Sequence, residues 1–154
     1  MDQEEVWAFT VAMYGRDGVA KLCLDLQERC DLDVNMLLFM FFLGQKGLAP
    51  MSISALEAAV HDWRENVIKP LRHARRHLRH DPRASAQDLR KKVKTEELQA
   101  ERIEQQILCE AVQTVPSDDP VAAAHAYLSP NRFEMDQQAC DNALGELTRL
   151  MGIA

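Results

Sequence analysis

Along nearly the whole chain apolar side chains return every three or four positions, and no stretch alternates apolar and polar residues between turn signals. The pattern predicts an all-α protein, a compact single-domain bundle of about six or seven helices. A first helix over residues 3–14 turns Val6, Phe9 or Thr10, and Met13 inward, with Gly15 placed to stop it. Asp17 is positioned to cap a second helix whose stripe is Val19, Leu22, Cys23 and Leu26. Asp33 caps the third, VNMLLFMFFLG, which is apolar on almost every side and therefore belongs in the middle of the fold, with Gly44 and Gly47 ending it.

Ser54 and Glu57 form a capping box that opens a long fourth helix reaching to about His80. Its seam is Leu56, Val60, Trp63, Val67, Leu71, Ala74 and Leu78, and Pro70 inside it predicts a bend between Asn66 and Pro70. A fifth helix, capped near Ser85 and Asp88, carries a thinner seam of Leu89, Val93, Ala100, Ile103, Ile107 and Ala111. The short turn at residues 81–84 makes the two an antiparallel hairpin. VPSDDP reads as a loop and VAAAHAYL as a short helix, and Asn131 with Glu134 is placed to open the last helix.

Size adds that 154 residues suit one domain, 1–154, able to bury a substantial core. With 47% hydrophobic and 27% charged residues the chain is expected to fold rather than remain disordered. The apolar run from Val34 to Gly44 is about half the roughly twenty residues that a bilayer span needs. The acidic start MDQEEVWAF lacks the features of a secretory leader, so a cytoplasmic protein is expected. Cys23, Cys30, Cys109 and Cys140 include no closely spaced ligand pair and read as small apolar side chains.

Charge changes the picture most. RHARRHLRH, residues 72–80, packs four arginines and three histidines into nine residues of a chain whose net charge is −6. Residues 69–94 hold ten Lys and Arg against Asp81 and Asp88, a balance of +8, so the rest of the chain carries −14. At helical spacing the basic residues split into stripes, His73, His77 and His80 beside Arg72, Arg76 and Arg79, opposite Leu71, Ala74 and Leu78. Lys69, Arg72, Arg75, Arg76, Arg79, Arg90, Lys91 and Lys92 are thus the candidate surface for an acidic protein or phosphate-bearing partner. The competing expectation is that Glu96, Glu97, Glu101 and Glu104 pair with the stripe from within the same chain.

Nucleic-acid binding is the lesser alternative, since the chain is acidic and no finger, RNA-recognition motif or aromatic platform accompanies the helix. His73 and His77, at i and i+4 with His80 beyond, have metal-ligand spacing, but they lack an H-E-x-x-H glutamate and neighbouring arginines would repel a cation. No metal or cofactor is expected. No nucleophile elbow, P-loop or dinucleotide fingerprint is present either, and a non-enzymatic interaction protein is the first expectation. The second is a small-ligand or enzymatic pocket, with Asp33 and Asn35 as its polar groups among Trp7, Tyr14 and Trp63.

Trp7 to Phe9, Tyr14, GVAKLCLDLQ at residues 18–27, DVNMLLF at 33–39 and WRENVIKPLRHARRHL at 63–78 together resemble a proteobacterial family of small helical proteins catalogued only as a domain of unknown function. The resemblance covers roughly the first eighty residues well and the rest weakly, making residues 1–80 the family-like core and 81–154 a helical C-terminal part. It implies a bacterial, cytoplasmic, all-α protein in which the D-V-N step and the P-L-R-x-x-R-R segment are signatures, and it carries no activity with it.

Overall fold

The structure, a computed structural model, describes residues 1–153. The chain is all-α and divides into two compact units, one made of Met1–Ile53 with the chain from Val112 onward, the other of Ser54–Ala111.

The first unit is built around α3, Val34–Gln45, in which every residue from Asn35 to Gly44 is buried. A helix apolar on all sides needs cover on all sides. α1, Gln3–Tyr14, lies against it with Phe9 edge-on to Phe42 at 5.5 Å, and α2, Val19–Cys30, adds Val19, Cys23 and Leu26. From the C-terminal part, α7, Ala122–Tyr127, covers α3 with its small buried residues Ala123 and Ala124. After the one-turn α8, Pro130–Phe133, α9, Gln137–Met151, packs Cys140, Leu144 and Leu147 inward beside α2.

Local expectations fare unevenly here. Asp33 caps α3 as expected, accepting from the Met36 N–H at 3.2 Å. Asp17 does not cap α2; the chain turns through Gly18 at φ +84°, a left-handed conformation that glycine adopts without strain. Nor do Asn131 and Glu134 open the last helix, because Glu134 ends α8 and Asp136 caps α9 through the Ala139 N–H at 2.7 Å. Gly44 is no helix stop. It lies inside α3, where a Cβ would sit 1.9 Å from the Pro120 carbonyl oxygen, so α3 and the α7 approach can meet only at glycine.

Where the sequence shows a break at Pro50 and a loop at VPSDDP, β1, Leu48–Pro50, and β2, Thr114–Pro116, form a two-stranded antiparallel ladder pairing Ala49 with Val115, strands that the pattern did not predict. Three-residue strands are too short to show alternation, and the prolines in both lack the N–H needed to extend it.

The second unit is the expected hairpin. α4, Ile53–Trp63, runs through a π-helical turn at Arg64–Ile68 into α5, Lys69–Leu78, and α6, Ala84–Ala111, returns alongside. Counting α4, the π turn and α5 as one, eight helices form among the described residues rather than six or seven. The π turn is how the helix passes Pro70. A proline ring collides with the carbonyl four residues back, and widening the turn before it removes the collision without ending the helix. The Lys69 N–H accordingly reaches back five residues to the Arg64 carbonyl.

That extra residue changes which side of α5 faces α6. Ile68 and Arg72 are buried and Arg75 half-buried, whereas Ala74, expected in the seam, is exposed. On α6 the seam likewise runs through Ala86, Glu97, Ala100, Glu104 and Leu108, and Leu89 and Ala111 are on the outside.

Candidate functional site: the arginine and glutamate faces of the α5–α6 hairpin

RHARRHLRH is helical because its only apolar positions, Leu71 before it and Ala74 and Leu78 within it, fall at helical spacing, and because the π turn delivers it in register with α6. Its end is held by Gln87 of α6, whose side-chain amide donates to the carbonyls of Leu78 at 3.0 Å and Asp81 at 2.7 Å. The Leu78 carbonyl also accepts from the Asp81 N–H at 3.1 Å, so the turn is pinned both from within and by the helix that follows it. Asp81 in turn accepts from the backbone and side chain of Arg83, with the shortest contact 2.6 Å from Nη2. These bonds hold its carboxyl down to about 2, against 3.8 ordinarily.

The centre of the hairpin is an ion cluster. Arg75 grips Glu97 with Nε donating to Oε2 at 2.6 Å and Nη2 to Oε1 at 3.2 Å. Arg72 lies deeper, its Nε 3.4 Å from the same carboxylate and its Nη2 3.4 Å from Glu101. The side chains of Glu97 and Arg72 are only 7% and 11% exposed, so this is an interior pair rather than a solvated one. Before the π turn, Trp63 donates its indole N–H to the Ala100 carbonyl at 2.9 Å. Glu104, 1% exposed, continues the acidic line of Glu97 and Glu101 along the same face of α6.

The candidate partner surface is therefore split. Arg72 and Arg75 are engaged with the chain's own glutamates, and Lys69 pairs with Glu65 at 2.5 Å. Arg76, Arg79, Lys91 and Lys92 are exposed, while Arg90 is half-buried with its Nε sealed from solvent. His73 and His77 are exposed on α5 and His80 is exposed in the turn after it. Among the described residues no group of three or more His, Cys, Asp or Glu side chains is placed to hold a metal ion.

The pocket candidates fall in both units. Trp7 and Tyr14 are half-buried on α1, and Asp33 and Asn35 are buried at the head of α3, where the Asp33 N–H donates to the Tyr127 hydroxyl at 3.3 Å. Trp63 belongs to the second unit and its polar atom serves α6. Tyr127, absent from the sequence-based set, could have been suspected only as an aromatic in a short alanine-rich helix.

Fold and cluster together define a small all-α protein whose second unit is a charge-stitched helical hairpin. Residues 5–108 match the family described as a protein of unknown function, DUF2390, and the chain belongs to that family. The match runs past residue 80 to include both sides of the hairpin, and thus Glu97, Glu101 and Glu104 with Arg72 and Arg75. No curated protein and no solved structure matches the chain. No helix among the described residues is long and apolar enough to cross a membrane.

Proposed function

We propose that the protein is a non-enzymatic interaction protein that docks an acidic polypeptide on the outer basic side of the α5–α6 hairpin. The supporting observation is the fate of the cations: with Arg72 and Arg75 turned to Glu97 and Glu101 and Arg83 held by Asp81, the other exposed cations of residues 69–111 are Arg76, Arg79, Lys91, Lys92 and Lys94. Residues 54–111 hold twelve Lys and Arg against ten Asp and Glu, a balance of +2, which leaves −8 for the rest of a chain of net charge −6. The positive field is local, and it favours a partner that presents carboxylates. Leu89 and Leu98, about half exposed on the lysine-bearing stretch of α6, favour a protein over a nucleic acid, whose phosphates offer no apolar contact.

The test is retention of the full chain on immobilised poly-L-glutamate and, in parallel, on duplex DNA at about 50 mM salt. Retention on poly-L-glutamate, lost in R76E/R79E/K91E/K92E while the unfolding midpoint is kept, is the expected result. No retention of the native protein on poly-L-glutamate, or equal retention of the variant, overturns the proposal. Stronger retention on DNA reassigns the surface to nucleic acid.

A further inference from the structure

Residues 56–78 contain two helical phases. In an uninterrupted α-helix, Leu56, Val60, Trp63, Val67, Leu71, Ala74 and Leu78 share one face. In the structure the π turn at Arg64–Ile68 spends one extra residue, so that Ile68, Arg72 and Arg75 follow Trp63 toward α6 and Ala74 is left outside. Each phase has its own stabilisation. The observed one relieves Pro70 and gives Arg72 and Arg75 the carboxylate of Glu97; the other would bury Ala74, which is exposed here, and cover more fully Leu71 and Leu78, which are already half-buried. It would also gather Arg72, Arg75, Arg76 and Arg79, spaced i, i+3, i+4 and i+7, on a single outward face.

We propose that the helix through α4 and α5 is a two-register element: the π register seals Arg72 and Arg75 on Glu97, and a continuous α register presents four arginines as one docking face for an acidic polypeptide. Partner carboxylates replace those of Glu97 and Glu101 for the two guanidiniums once the partner is bound, and the cost of leaving buried Glu97 without its cations holds the unbound chain in the π register. A ligand shifts such an equilibrium only through its differential affinity for the two states, and one that contacts all four arginines has that difference built in. The nature of the occupant rests on the function proposed above; the change of register does not.

The experiment follows arginine modification by phenylglyoxal in the full chain, residue by residue, by mass spectrometry. In the native protein Arg72 and Arg75 should react at least about tenfold more slowly than Arg79. Pro70→Ala removes the steric reason for the π turn, and P70A/E97Q removes the ionic one as well. Both should raise the rates at Arg72 and Arg75 toward that of Arg79 with helicity retained. A cysteine reporter, Ala74→Cys, should move the opposite way, reactive in the parent and protected in the Pro70 variants, which separates a change of register from simple loosening.

Protection of Arg72 and Arg75 in folded P70A and P70A/E97Q overturns the second register, as does a reporter at position 74 that stays reactive. Loss of cooperative unfolding in both variants overturns it too. If the register shifts but the salt needed to elute from poly-L-glutamate does not rise, the four-arginine docking face is overturned, and native retention on that matrix judges the proposed function separately.

Discussion

Arg75 holds both carboxylate oxygens of Glu97, at 2.6 and 3.2 Å, and Arg72 reaches the same carboxylate from below at 3.4 Å. One buried anion thus answers two guanidiniums, and removing it leaves two cations in a place with little water. Breaking a buried pair from one side costs about 3–5 kcal/mol, whereas a surface change stays within roughly 0.5 kcal/mol. Glu97→Ala is therefore expected to lower the stability of the second unit by about 3 kcal/mol and Arg79→Ala to leave it unchanged within error, measured by urea unfolding. Replacing the whole cluster, as in R72M/R75L/E97M, should recover most of the loss, because apolar residues of similar volume substitute well for buried ion pairs. Equal effects of Glu97→Ala and Arg79→Ala would show that the cluster is solvated.

At Gly44 the constraint is steric. A methyl group there would stand 1.9 Å from the Pro120 carbonyl oxygen, a backbone atom that cannot swing aside. Gly44→Ala is expected to destabilise the first unit by at least about 2–3 kcal/mol, despite the better helix propensity of alanine. Gly145→Ala is the control, since it lies in α9 with open space around it and should stabilise slightly. Thermal unfolding of the two variants should therefore move in opposite directions.

How legible this was differs from element to element for physical reasons. α3 and its Asp33 cap could be read directly, because an all-round apolar run and a local side-chain bond are both short-range signals. The hairpin could be read as well, but not its seam. The inward face of α6 is partly acidic, so apolar periodicity points to Leu89, which is 50% exposed, and away from Glu97. On α5 the π turn shifts the phase by an amount that no fixed period contains, and Arg75 takes the place expected for Ala74. Gly44 looked like a stop because its reason, Pro120, is distant in sequence. The question of whether the arginines face inward or outward was visible in the sequence; that they divide, two in and two out, was not.

Asp81 gives a pH signature to the hairpin turn. Hydrogen bonds from Arg83 hold its carboxyl down to about 2. A carboxylate with a depressed folded value stabilises the fold above its unfolded value near 4 and loses that contribution as the pH falls toward 2. Carbon-detected NMR titration should find Asp81 still ionised at pH 3, and Arg83→Gln should return its midpoint toward 4. An unmoved midpoint in that variant would mean that Arg83 is not the cause.

Cys23 supplies the opposite dependence. It is fully buried on α2, and burial pushes its thiol up to about 12 from 9.0. The folded chain therefore keeps a proton that the unfolded chain gives up above pH 9, so stability is retained below 9 and lost as the pH rises toward 12. The urea midpoint of the first unit should fall between pH 8 and pH 10.5, and Cys23→Ala should flatten that slope even though it lowers the midpoint at pH 8 by removing buried volume. Thiolate, not thiol, is the nucleophile, so at pH 8 a thiol reagent should modify the half-buried Cys30 before Cys23, whose labelling should wait for unfolding. Labelling of Cys23 at the rate of Cys30 in the native protein would mean that α2 opens locally, and the alkaline slope would then belong to other groups.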